Sequence, residues 1–151
     1  MSTNIVRCGD CGKRNRVPAA AAGVPRCGEC GGPLPWIVEA GDGDFADVVE
    51  ASAVPAIVDF WASWCGPCRM VGPALDRIAE DLAGQVKLVK VDVDRAPGLS
   101  ERFAIRNIPY LMVVRGGDVV AERAGAAPAP ELRAWVDQAR NSGATAGRES
   151  G

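Results

Sequence analysis

The sequence predicts an α/β protein, a mixed central sheet with helices on both faces, preceded by a small module held together by cysteines. Three observations carry this expectation. Residues 36–140 alternate short β-branched apolar runs with segments of helical periodicity. Residues 1–35 are rich in Gly, Pro, Cys and charge, and their apolar residues follow neither a helical nor a strand period. The six cysteines fall into three C-x-x-C pairs, Cys8/Cys11, Cys27/Cys30 and Cys65/Cys68.

Each element of the larger part has its own signal. Residues 36–39 (Trp-Ile-Val-Glu) suit a short strand, and residues 42–51 a helix with Phe45, Val48 and Val49 on one face. Pro55 breaks the chain. Residues 56–61 form a nearly continuous apolar run, as expected of a strand buried on both faces. Residues 68–83 read as a helix with Met70, Val71, Leu75, Ile78, Ala79 and Leu82 near i/i+3/i+4 spacing, and Pro73 inside it is expected to kink it. Residues 86–93 suit a strand and 97–103 a short helix. Strands at 110–114 and 119–124 flank a tight Gly116-Gly117 hairpin. Residues 130–139 close the domain as a helix with Leu132, Trp135 and Val136 inward. Residues 141–151 are small and polar and are expected to be disordered. Trp36 and Trp135 read as packing residues without chemistry.

The 151 residues carry a net charge of −2, with 48% hydrophobic and 24% charged residues. Such a chain can bury a core. It gives no bulk electrostatic reason to expect nucleic acid or an anionic membrane as a partner. Residues 1–35 hold five Lys/Arg against two Asp/Glu, and the remainder twelve against seventeen. Residues 1–20 carry Arg7, Asp10, Lys13, Arg14 and Arg16 with no apolar run, so no secretory leader is expected. No run of about 18 apolar residues suggests a membrane span. The expected compartment is the reducing cytoplasm, where C-x-x-C pairs are metal or redox sites rather than structural staples. The chain has no histidine, which removes Cys–His nucleophiles and mixed Cys/His zinc sites.

The Cys65/Cys68 pair lies at a strand-to-helix junction, flanked by Trp61 and Trp64 and enclosing Gly66-Pro67. At a helix N-terminus, unpaired N–H groups and the helix dipole favour a thiolate at Cys65. Pro67 suits the first helical turn because it has no N–H to leave unpaired. Cys68, one turn on, is within reach for a disulfide and is expected to be the more buried of the two. The bland alternative, half of a zinc site or two inert core thiols, fits this corner poorly.

These residues carry a resemblance. Val58-Asp59-Phe60-Trp61-Ala62-x-Trp64-Cys65-Gly66-Pro67-Cys68 resembles the signature of the thioredoxin family. Pro73, Lys90-Val91-Asp92-Val93-Asp94, Pro97, Ile105-Arg106-Asn107-Ile108-Pro109, Gly116-Gly117 and Gly125 match in the same order. The resemblance spans about residues 36–140. It implies the thioredoxin fold, with Cys65 as nucleophile and Cys68 as resolving thiol in disulfide exchange. It also implies disulfide-containing protein substrates and a thioredoxin reductase as electron donor. Asp59, an acid in an apolar strand, would serve as proton acceptor and donor for Cys68; its alternative is a strand-end surface Asp. Lys90 either pairs with Asp59 or is solvated. Pro109 matches the family's cis-proline. Trp64, Gly66, Pro67, Ile108, Pro109 and Gly125 would line the substrate-facing surface, Trp61 being more structural. Tyr110 departs from the threonine most often found there, which would either narrow the docking groove or alter packing.

Cys8-x2-Cys11-x15-Cys27-x2-Cys30 has the spacing of a tetrahedral four-cysteine zinc site. Gly9, Gly12, Gly28 and Gly31 allow tight turns whose N–H groups can reach the sulfurs. Two local disulfides or free thiols are the alternatives. A zinc-ribbon-like module at 1–35 ahead of a thioredoxin domain at 36–140 resembles the bacterial thioredoxin 2 type, and implies one Zn²⁺, either purely structural or responsive to oxidation through loss of its thiolate ligands. Nothing suggests oligomerisation, so a monomer is expected. A redox-sensing holdase and a zinc-ribbon adaptor are the competing functions, and neither has comparable motif support.

Overall fold

A computed structural model describes residues 3–21 and 23–150, with side chains described for 5–21 and 23–141. Strands β1 (Thr3–Arg7) and β2 (Arg14–Pro18) pair as an antiparallel ribbon. The strands β3 (Ile37–Glu39), β4 (Ala56–Trp61), β5 (Lys87–Asp92), β6 (Tyr110–Arg115) and β7 (Asp118–Ala124) form a second sheet in the order β3-β5-β4-β6-β7. β3, β5 and β4 run parallel; β6 and β7 are antiparallel to their neighbours. This is the mixed sheet expected from residue 36 onward.

Helices α1 (Cys68–Asp81) and α3 (Ala129–Ser150) cover one face, burying Val71, Leu75, Ile78, Leu132 and Val136 against Ile57, Leu88, Leu111 and Val113. Helix α2 (Pro97–Arg102) and the turn before β4 cover the other, where Phe45, Val48, Val49 and Leu99 meet Val58, Phe60, Val89, Val91 and Met112. Alternation along β4 therefore sends Ile57 and Asp59 to the α1 face, and Val58 and Phe60 to the α2 face. All of Ala56–Phe60 is buried, as a central strand requires.

Four expectations are corrected. Residues 1–35 contain a β-ribbon that no period announced, because its strands are short and only one face, with Val17, turns inward. The helix expected over 42–51 is a single wide turn, Ala46–Glu50, closed by the Ala51 N–H on the Ala46 carbonyl. Its Val48 carbonyl is taken instead by the Lys87 ammonium at 2.6 Å. Helix α1 runs through Pro73 but ends at Asp81. Residues 141–150, expected to be disordered, continue α3 as helical backbone, in a run that holds no proline to stop it. Gly151 lies outside the described residues.

The core of the N-terminal module is continuous with the α2-face core. Cys8, Val17, Ala19, Cys27 and Leu34 pack into the same cluster as Trp36 and Phe45. At the junction Trp36 is fully buried and its indole N–H donates to the Pro18 carbonyl at 2.9 Å. The ammonium of Lys87 lies 4.1 Å from the centre of the Trp36 ring and donates to the carbonyls of Ala19 and Val48.

Candidate active site and metal centre

Strand β4 ends at Trp61, and the chain turns at Ala62, whose carbonyl accepts the Cys65 N–H at 3.1 Å. The turn delivers Cys65 just ahead of α1, and Cys68 opens the helix. The two are joined by a disulfide with Cα atoms 5.4 Å apart. The Cys68 N–H donates to Cys65 Sγ at 3.2 Å. That contact and the α1 dipole favour negative charge on Cys65 when the pair is reduced. Cys65 is 4% exposed and Cys68 6%, so Cys68 is not the more buried partner; in the bonded pair each sulfur shields the other.

Around the pair the surface is open. Trp64, Gly66 and Pro67 are exposed, and the Trp64 indole donates to Asp94 at 2.9 Å. Ile108 packs against Cys65 and Cys68. The Ile108–Pro109 bond is cis, and the Pro109 carbonyl accepts the Gly125 N–H at 2.8 Å. The residues singled out for docking, at 64, 66, 67, 108, 109 and 125, thus belong to three loops, the last two tied together by that bond. Tyr110 turns to the other face, where its ring lies 6.2 Å from Phe60 and its hydroxyl donates to Glu122. The hydrogen bond to that carboxylate and burial push its phenol up to about 12.

Beneath Cys68 lies a cavity of about 250 Å³ lined by Asp59, Trp61, Cys68, Asp76 and Lys90 among others. Asp59 is 3% exposed, and its Oδ1 meets no hydrogen-bond donor. Burial pushes its carboxyl up to about 7; the Lys90 charge opposes this and the Asp76 charge adds to it. Lys90 stands directly opposite Asp59 in the β4–β5 register, yet its ammonium pairs with Asp76 Oδ1 at 2.8 Å. Of the two readings of Lys90, neither a direct pair with Asp59 nor full solvation describes it. Asp76 escaped the sequence reading, and Asp94 entered it only within a matched run, since acids on helix surfaces or in loops carry no distinguishing signal.

The four N-terminal sulfurs converge. Cys8, Cys11, Cys27 and Cys30 place their Sγ atoms all within 4.8 Å of one another. Two contacts, Cys8–Cys30 and Cys11–Cys27, are 3.6 Å. A disulfide needs about 2.05 Å. The edge of a tetrahedron of four sulfurs around zinc, with bonds of about 2.3 Å, is about 3.8 Å. The cluster fits a tetrahedral metal and not two disulfides, and its close pairs join different C-x-x-C units. Each unit folds as a knuckle: the Gly12 and Gly31 N–H groups donate to the Cys8 and Cys27 carbonyls at 2.9 Å. Gly12 and Gly31 have φ of 78° and 79°, a conformation that a side chain would strain. Hydrogen bonding to sulfur from the Cys30 backbone, against some burial, and then from Glu29 and the Asn15 amide, draws the Cys27 thiol down to about 6. Asn15, also missed by the sequence reading, accepts the Gly28 N–H as well and ties the ribbon to the second knuckle.

A sequence model of the thioredoxin family matches residues 36–138. The chain belongs to the thioredoxin family. It is 42% identical over 102 residues to the thioredoxin of Haemophilus influenzae, covering 68% of this chain and 95% of that one. It is 46% identical over 103 residues to thioredoxin C-2 of Corynebacterium nephridii, covering 68% and 94%. To thioredoxin C-3 of the same organism it is 36% identical over 137 residues, covering 89% and 94%, a match that necessarily takes in part of the N-terminal segment. As a member of this family the protein is a thiol–disulfide oxidoreductase, and the Cys65–Cys68 pair fits the family's C-x-x-C active site. No helix among the described residues is long and apolar enough to cross a membrane.

Proposed function

We propose that the protein is a protein-disulfide reductase of the thioredoxin 2 type, carrying one structural Zn²⁺ on Cys8, Cys11, Cys27 and Cys30. The observation that carries the catalytic reading is the Cys65–Cys68 pair at a strand-to-helix corner, above a cavity that holds a buried carboxyl. In the reduced protein the Cys65 thiolate attacks one sulfur of a substrate disulfide. The substrate's S–S bond breaks, its other sulfur leaves as a thiolate, and a mixed disulfide forms on Cys65. Cys68 gives its proton to Asp59 and attacks the Cys65 sulfur. The Cys65–Cys68 bond forms, and the second substrate sulfur leaves and takes a proton. Two electrons pass to the substrate in each cycle; the Cys68 proton reaches one substrate sulfur, and the first sulfur to leave takes its proton from solvent.

Cis-Pro109, Gly125, Ile108, Trp64, Gly66 and Pro67 supply the docking surface. A thioredoxin reductase restores the dithiol. The metal, when bound, supplies a cross-link that a segment too small to fold on packing alone needs. Cysteine usage of this kind, thiolate ligands plus a redox pair, suits a reducing cytoplasm, and we read the protein as a monomer.

Reduction of a disulfide-bonded model protein tests the assignment. Cys65→Ser is expected to abolish turnover with the fold intact. Cys68→Ser is expected to accumulate the mixed disulfide, visible as a covalent adduct by mass spectrometry. Turnover by Cys65→Ser would refute the nucleophile assignment.

A further inference from the structure

We infer that Asp76 is a positioning residue of the redox site, which holds the Lys90 ammonium away from Asp59 and so leaves the Asp59 carboxyl free to exchange a proton with Cys68. The inference rests on the proposed reductase reading and concerns a residue outside its set. The register makes the point. Asp59 and Lys90 are direct partners across β4 and β5, so their side chains leave the same face of the sheet side by side. Left to itself, a lysine in that place would close on the buried acid. Instead its charge lies on α1, at Asp76 Oδ1, 2.8 Å away. The burial gradient agrees: Asp59 is 3% exposed, whereas the side chains of Lys90 and Asp76 are 25% and 38% exposed. Neither Asp59 Oδ1 nor Asp76 Oδ1 receives an aligned hydrogen bond, and only Asp76 Oδ1 has the ammonium at ion-pair distance.

The other groups facing the cavity do not alter this account. From α1 come Cys68, Asp76 and Arg69, whose guanidinium donates to the Ser63 carbonyl at 3.1 Å. From β5 comes Lys90. From β6 the residue opposite Asp59 is Leu111, which carries no charge. Asp59 therefore has one cation that could close on it and one anion that competes for that cation. A direct Lys90–Asp59 pair would hold the carboxylate ionised and make it a poor acceptor for the Cys68 proton. With Lys90 drawn off, the proton leaving Cys68 has an acceptor lining the same cavity, and the same carboxyl can return that proton to the departing substrate sulfur.

The test is a titration of the Asp59 carboxyl by ¹³C NMR in the oxidised protein, which needs no turnover. Asp76→Asn is expected to move the Asp59 midpoint down by about one pH unit or more as Lys90 swings inward. Asp76→Glu is expected to leave it near that of the unaltered protein. The double variant Asp76→Asn/Lys90→Met is expected to bring the midpoint back up, since no cation remains to swing. The acid limb of mixed-disulfide resolution on Cys65 is expected to follow the same shifts. An unmoved or raised midpoint in Asp76→Asn overturns the inference. So does a midpoint that stays low in the double variant, which would assign the effect to direct repulsion between the two acids. Because the titration is read without substrate, a failure of the reductase assignment would show in turnover alone.

Discussion

Asp59 lies between Val58 and Phe60 in the buried stretch of β4, with one carboxyl oxygen that meets no donor. A group so placed weakens the fold whenever it is ionised. Its carboxyl is pushed up to about 7 by burial, above the ordinary 3.8 of an unfolded chain. Between those values the folded state keeps a proton that the unfolded state has lost, so stability falls as pH rises through that window. Asp59→Asn removes the effect. Its stability advantage is expected to widen by up to about 1.4 kcal/mol per pH unit between about pH 4 and pH 7, and to level off above. Urea unfolding of both oxidised proteins at pH 5 and pH 8 reads this; a gap that stays constant or shrinks would contradict it. Asp59 was legible because an acid inside an apolar run is conspicuous. Lys87 was not, since a lysine at the first position of a strand normally reaches solvent, and only its tertiary partners reveal that it does not.

At the scale of elements, Lys87 joins three of them. Its ammonium meets the Ala19 carbonyl just past β2, the Val48 carbonyl in the turn before β4, and the Trp36 ring ahead of β3. Burial draws its pKa down to about 8, against the pull of Asp44, so the cation persists at neutral pH. Lys87→Met leaves two buried carbonyls without a donor. It is expected to cost about 2–4 kcal/mol of stability and to speed amide exchange in β2. A loss below about 1 kcal/mol would show that the carbonyls find other donors. The same contact holds the wide turn at Ala46–Glu50 by its Val48 carbonyl: periodicity at Phe45, Val48 and Val49 showed the inward face, but it could not show that a lysine far along the chain would take a carbonyl. Elements ruled by their own apolar pattern, β4, β5, β6 and α1, were legible within two residues at either end. The β1–β2 ribbon was not, because it gains its order from knuckles and from Trp36 rather than from a pattern of its own.

At the scale of the whole molecule, the N-terminal module shares the α2-face core, while the redox pair packs in a small cluster of its own with Ala62. The four-cysteine cluster lies in the N-terminal module and the redox pair at the end of β4, and only the module's sulfurs stand at metal spacing. Native mass spectrometry is expected to show one zinc per chain, retained when mild oxidation removes two hydrogens from Cys65 and Cys68. Stripping the metal is expected to expose the β1–β2 amides to exchange while β4 and β5 stay protected and disulfide reduction continues. Unchanged protection of β1–β2 would mean that packing on Trp36 holds the ribbon without a metal.

The ribbon's position has one more consequence. A five-stranded open sheet has two borders at which a foreign strand could add and seed an aggregate. At one border, β3, the β1–β2 ribbon lies alongside. At the other, β7 carries Asp118, Glu122 and Arg123, and its pairing with β6 is irregular at Val113/Val114. One border carries charge and an irregular pairing, the other a neighbouring ribbon whose module brings four sulfurs together. The small module thereby acts as a bumper for the catalytic domain, and losing it would open the β3 side to the strand-on-strand growth that β7 already resists.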